Sequence, residues 1–136
     1  MSLDLYREDV EKHSSGSPCY IADMTFYVRR IGTKQAQTQI AEIKEKLYGL
    51  FPKPKEINEN EIFANWLAYY GVCNWENVTD NDDGEPMEYS EAFARQLFLN
   101  EAYWMSLNQA LITHAANYEN YLADQVYEES EEIKKP

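Results

Sequence analysis

From Thr33 onward apolar residues return every three or four positions, at Ala36, Ile40, Ile43, Leu47 and Leu50, with Lys, Gln and Glu between them. That spacing predicts an amphipathic helix, capped at Thr33 and closed by Gly49, Pro52 and Pro54. A second helix follows Asn58, where Glu61 three residues on forms a capping-box arrangement, and carries Ile62, Phe63, Trp66, Leu67 and Tyr70 to a stop at Gly71. Ser90 caps a short helix bearing Phe93 and Leu97. After Asn100, the residues Trp104, Leu107, Leu111, Ala115, Tyr118, Leu122 and Val126 keep helical steps. They predict one long helix of about six turns.

Elsewhere the pattern differs. Leu3, Leu5, Tyr6 and Val10 predict one short opening helix that ends before Gly16 and Pro18. In "CYIADMTFYVRRIG" two runs of β-formers flank Ala22-Asp23-Met24 and predict a small hairpin. In "WENVTDNDDGEPMEYSEAFARQLF", residues 75–98, the Asp83-Gly84 pair favours a tight turn, with Val78 before it and Met87 and Tyr89 after. Pro86 confines the returning strand to an edge or a very short ladder. The predicted fold is mainly α: one compact helical domain over 1–127, with a small β-hairpin element near the N-terminus and a short turn or hairpin segment at 75–89. Residues 128–136 read as an acidic tail, because acids at a helix C-terminus oppose the macrodipole.

Composition narrows the function. The 136 residues, 44% apolar, suffice for one globular domain. Twelve basic against twenty-four acidic residues leave a net charge of −12. That balance disfavours nucleic acid and anionic membranes, which bind through neutralised phosphates. Cys19 and Cys73 are too dispersed for a zinc site and read as reduced thiols. The opening "MSLDLYREDVEKH" has no basic flank before an apolar run, and no stretch reaches about eighteen continuous apolar residues. These features predict a cytoplasmic protein.

Catalytic and metal chemistry find little support in the residues. With Gly84 at the sixth position of an EF-hand loop, Ser90 falls where a bidentate carboxylate belongs; starting at Asp80 instead puts Glu85 at the glycine position. His13 and His114 lie in different predicted helices with no nucleophile at an informative spacing. The five glycines are isolated, so no phosphate loop is present. The expectation is a non-enzyme without cofactor or metal.

Taken as a unit, Trp66-Leu67, Gly71-Val72, Trp75-Glu76-Asn77-Val78-Thr79-Asp80, Asp83-Gly84, Pro86 and Tyr89-Ser90 resemble the tail assembly chaperones of bacteriophages with long, flexible, non-contractile tails. The resemblance extends over residues 26 to about 124 and is to the pattern W-x-x-[VI]-T-D-x-x-G-x-P-x-x-[YF]-S, from which this chain departs by one extra residue between Asp80 and Gly84. It implies a helical, non-enzymatic protein of the infected host's cytoplasm, absent from the finished virion. Such a protein self-associates, coats and solubilises the tape measure protein and helps recruit tail tube subunits. It also implies a longer product made by −1 ribosomal frameshifting, for which Lys134 and Lys135, after Ile133, are the candidate codons.

The tryptophans Trp66, Trp75 and Trp104 are expected in the core. Apolar residues off the predicted stripes, Tyr69, Phe98, Tyr103, Met105, Ile112 and Tyr121, are the candidate interaction residues, joined by the basic pair Arg29 and Arg30. A reading from another class is an acidic inhibitor or nucleic-acid mimic that occupies a basic protein.

Overall fold

A computed structural model describes residues 2–79 and 84–123. After a 3-10 turn at Leu3–Tyr6 come α1 (Val10–Ser15), β1 (Ser17–Ile21) and β2 (Met24–Val28), then α2 (Lys34–Tyr48) and a 3-10 turn at Pro54–Glu56. Next are α3 (Glu59–Trp66), a π-helical turn at Leu67–Gly71, and β3 (Val72–Glu76). The chain continues through α4 (Glu91–Phe98), a 3-10 turn at Glu101–Tyr103, α5 (Leu107–Ala116) and a last 3-10 turn at Tyr118–Tyr121.

The mainly-α expectation is corrected by a three-stranded antiparallel sheet in the order β1-β2-β3. The N-terminal hairpin forms as read, with Ile21 opposite Met24 and Ala22 at φ 53° in the turn. It is not a satellite, because β3 joins its far side and makes β2 the central strand. Phe26 and Val28 of β2 are fully buried, and Phe26 meets Trp75 of β3 and Phe98 of α4 edge to face at 6.2 and 6.1 Å. The sheet is therefore one wall of the core.

That pairing also changes the 75–89 segment. Trp75 and Glu76 pair with β2, and no strand returns between Gly84 and Ser90. Among the bonds that hold the segment instead, the Met87 N–H donates to the Val78 carbonyl (2.7 Å), the Trp75 indole N–H to the Met87 carbonyl (2.8 Å) and the Tyr89 hydroxyl to the Val72 carbonyl (3.2 Å). Pro86 has no N–H with which to extend a ladder. Asp83 of the expected turn, and the 128–136 tail with Lys134 and Lys135, lie outside the described residues.

Helix starts follow their caps. Thr33 Oγ1 accepts the Ala36 N–H (3.1 Å), Asn58 Oδ1 the Asn60 N–H (3.0 Å) and Ser90 Oγ the Phe93 N–H (3.1 Å). Each satisfies one orphan donor of a first turn. The long C-terminal helix is corrected to three short pieces. Ser106 leaves helical geometry (φ −121°, ψ −92°) before α5, and Asn117 (φ −87°, ψ 110°) ends it. The Asn117 side chain accepts the Glu119 N–H (3.1 Å), capping a new turn rather than continuing the old one. The opening helix is likewise divided at Arg7–Asp9, and its Leu3, Tyr6 and Val10 are exposed.

Candidate functional site: an exposed groove and a polar clasp

The core claims three of the predicted interaction residues. Phe98 and Tyr121 are fully buried and Ile112 nearly so, which removes them from any client surface. On α4 the inward residues are Ala94 and Phe98, four apart, while Phe93 is exposed. The inner face is thus rotated from the Phe93–Leu97 stripe read in the sequence. On α5 Asn108, Leu111, Ile112 and Ala115 are all buried, a face wide enough to take in Ile112. Trp66 and Trp75 are core residues as expected, and Trp104 is half-buried.

Tyr121 sits in a polar clasp that joins the two ends of the described chain. Its hydroxyl donates to the Val28 carbonyl (2.8 Å), and its ring lies between the His13 and His114 rings, edge to face at 6.0 and 6.1 Å. The Arg30 guanidinium covers it at 5.7 Å from the centroid. Arg30 Nε donates to Glu8 Oε1 (2.9 Å), which also meets His13 Nε2 (3.0 Å). Nη1 of Arg30 reaches the Ala115 and Ala116 carbonyls at 3.4 Å, closing the C-terminus of α5. Around this centre Asp9 N–H donates to the Tyr121 carbonyl (2.6 Å) and Ala123 N–H to the Arg7 carbonyl (2.9 Å).

The protonation states follow from these contacts. Burial alone pushes the Glu8 carboxyl up, but the bonds and charges of Arg30 and His13 outweigh it and bring the pKa below the usual carboxylate value. Burial drives the Tyr121 phenol well above its ordinary range, and Arg30 only partly offsets it. His114 is pushed down by burial against the opposing effect of its contact with Ser17, so its neutral form is favoured. The clasp holds charge in fixed places but presents no nucleophile to solvent.

Arg29 makes a separate set of contacts. Its Nε donates to the Ser14 carbonyl (2.6 Å) and Nη1 to the Tyr70 carbonyl (2.7 Å), bracing α1 against the π turn. So both arginines of the predicted pair are engaged within the chain.

Tyr69, Tyr103 and Met105 remain at the surface. Tyr69 lines a concavity of about 240 Å³ between α2 and the α3–π segment, with Glu42, Ile43, Lys46 and Leu47 opposite and Asn65 and Tyr70 beside it. The Arg95 guanidinium lies 4.8 Å from the Tyr69 ring centroid and holds it in place. Met105 is separate: its sulfur accepts the Asn60 amide (3.0 Å) at the start of α3. Just beyond Leu47, past the helix end, Leu50 and Phe51 stand 70% and 96% exposed. The sequence reading assigned Leu47 and Leu50 to the core stripe of α2, whose buried residues are Ala36 and Ile43. Two adjacent apolar residues wedged between Gly49 and Pro52 were the available signal that this end leaves the core.

A family model described as YdaY prophage protein matches residues 15–135. The chain belongs to the YdaY prophage protein family. It is therefore phage-derived. No curated protein and no solved structure matches it. In this YdaY-family chain the groove, the sheet, both arginines and Tyr121 fall inside the matched region, while Glu8 and His13 precede it.

Proposed function

We propose that this YdaY-family protein is a tail assembly chaperone, acting without catalysis in the cytoplasm of the infected host. It self-associates, binds apolar helical segments of the tape measure protein, keeps them soluble and helps bring tail tube subunits to them. The observation that carries this reading is the open groove at Tyr69 and Leu47, together with the exposed Leu50 and Phe51 that follow Leu47 in the chain. An apolar strip at the surface of a folded chain is the kind of feature that receives an amphipathic helix. Glu42 and Lys46 on its lining can pair with charges that flank a client's apolar stripe. The net charge of −12 keeps many copies soluble while that strip stays exposed. The segment from Trp66 to Ser90 supplies the likeness to the chaperones.

Co-expression with the tape measure protein of the same phage tests the reading. The wild-type chain should render the client soluble and co-purify with it, and L50S/F51S should stay folded but leave it insoluble. A client that stays insoluble with both the wild-type chain and its frameshifted extension refutes the chaperone function.

A further inference from the structure

Adjoining the clasp, with which it shares His13 and Arg30, a cleft of about 360 Å³ is enclosed by α1, the end of β2, the start of α2 and the α3–π segment. Its wall includes His13, Arg29, Arg30, Gln39, Trp66 and Tyr70 but no aspartate or glutamate, in a chain where acids outnumber bases two to one; His13, like Arg30, faces Glu8. This inversion of charge is local and built from side chains already held in position.

Arg29 is pinned by its Nε and Nη1 to two backbone carbonyls and has no carboxylate partner among the described residues. Those bonds use two of its five N–H groups and leave three, one on Nη1 and two on Nη2. Gln39 is oriented by a donor-only neighbour: the Trp66 indole N–H donates to its Oε1 (3.1 Å), so the amide NH₂ is left as a donor. Arg30 shares the wall, but its charge is matched by Glu8 at 2.9 Å. The cleft therefore carries about one uncompensated positive charge beside several fixed donors.

We propose that this cleft binds the carboxylate of a small molecule, with Arg29 as the charge partner and the Gln39 amide as a second donor. The charge count selects the head group. A carboxylate brings one negative charge, whereas a phosphate brings about 1.5 to 2 and would be left overcompensated in a partly desolvated site. Ala36 and Tyr70 supply an apolar wall for a modest body, and the volume is that of a small-ligand site.

The Trp66 indole N–H is a reporter inside the cleft. Two-dimensional NMR of the full chain, titrated with acetate, benzoate or inorganic phosphate at constant ionic strength against chloride, should show a saturable shift of this resonance with a carboxylate. Q39E keeps the acceptor for Trp66 and replaces the free amide by a negative oxygen, so it should weaken carboxylate binding about tenfold or more. R29Q should do the same, and Q39E keeps the test decisive if R29Q fails to fold, because the Arg29 bonds to Ser14 and Tyr70 are untouched in it. Absence of a saturable shift with either carboxylate, equal affinity in folded Q39E, or tighter binding of phosphate than of both carboxylates overturns the proposal.

Discussion

Replacing Glu8 by Gln tests whether the clasp between the chain ends is held by charge. Glu8 Oε1 accepts from Arg30 Nε at 2.9 Å and meets His13 Nε2 at 3.0 Å, with the Arg30 side chain 15% and the Glu8 side chain 30% exposed. Glutamine keeps the shape and one acceptor oxygen. What it removes is the ionic part, the difference between a charge-assisted bond of about 1.5–3 kcal/mol and a neutral one of about 0.5–1.5 kcal/mol. Partial exposure screens the pair, so the loss at neutral pH should be about 1 kcal/mol, or about 4 °C in Tm for a domain of this size. The folded-state pKa of Glu8 lies below its ordinary 4.5, so between the two values the unfolded chain binds more protons. The carboxylate's contribution is complete above about 4.5 and is lost as pH falls through the folded value. His114, with a pKa below 6.5, adds its own loss of stability as pH drops, but both proteins share it and it cancels in their difference. Urea unfolding followed by tryptophan fluorescence should show E8Q weaker at about pH 7, with the deficit shrinking as pH falls below about 4.5. Equal stability at neutral pH, or a deficit of the same size in acid, would mean that packing rather than charge holds the clasp.

Two further substitutions separate structure from surface. F98A should cost about 3–5 kcal/mol in the same assay, whereas F51A should change stability by less than about 0.5 kcal/mol; the reverse order would place the core elsewhere. Gly71→Ala sets a methyl within 2.6 Å of the Trp66 ring and should destabilise by about 1–3 kcal/mol, with W66L relieving part of that loss in a double-mutant cycle.

The parts of the fold that local chemistry determines were legible in the residues. Thr33, Asn58 and Ser90 each cap the helix expected of them, because a cap and its target N–H lie within three residues. The turn at Ala22-Asp23 is local too. What escaped depended on distant partners. Val72–Glu76 is a strand because β2 lies beside it, and nothing in those five residues names that neighbour. The inward face of α4 is set by Phe26 and Trp75 meeting Phe98, so periodicity alone chose Phe93 instead. The continuous run from Trp104 onward hid two breaks, since Asn117 offers its side chain to the backbone of a new turn while its neighbours keep helical spacing. For the candidate site, Tyr69 was legible as an apolar residue off the stripe. Leu47 and Leu50 keep the helical spacing past the point where the core beneath α2 stops, so periodicity hid their exposure, and only Gly49 and Pro52 around Leu50-Phe51 marked the break.

The large apolar residues Trp66, Trp75, Val78 and Tyr89, among those on which the proposed chaperone reading draws, are turned inward. The Trp66 indole bonds Gln39 and its ring rests against Gly71, the Trp75 indole bonds the Met87 carbonyl, Val78 is buried, and the Tyr89 hydroxyl donates to the Val72 carbonyl at 3.2 Å. Together they build the joint between α3, β3 and α4. These residues serve the fold, so a client, if the proposed reading holds, would be met by residues outside them. Phe51, almost fully exposed, adds nothing to the stability of the folded chain and by itself favours aggregation. Self-repulsion at −12 opposes that aggregation at long range, but it is screened within about 8 Å at physiological salt and does not prevent close apolar contact once a partner is docked. On the proposed chaperone reading, a weakly charged helical client would escape the repulsion that keeps copies of this chain apart, and the same strip would favour such a client over a second copy.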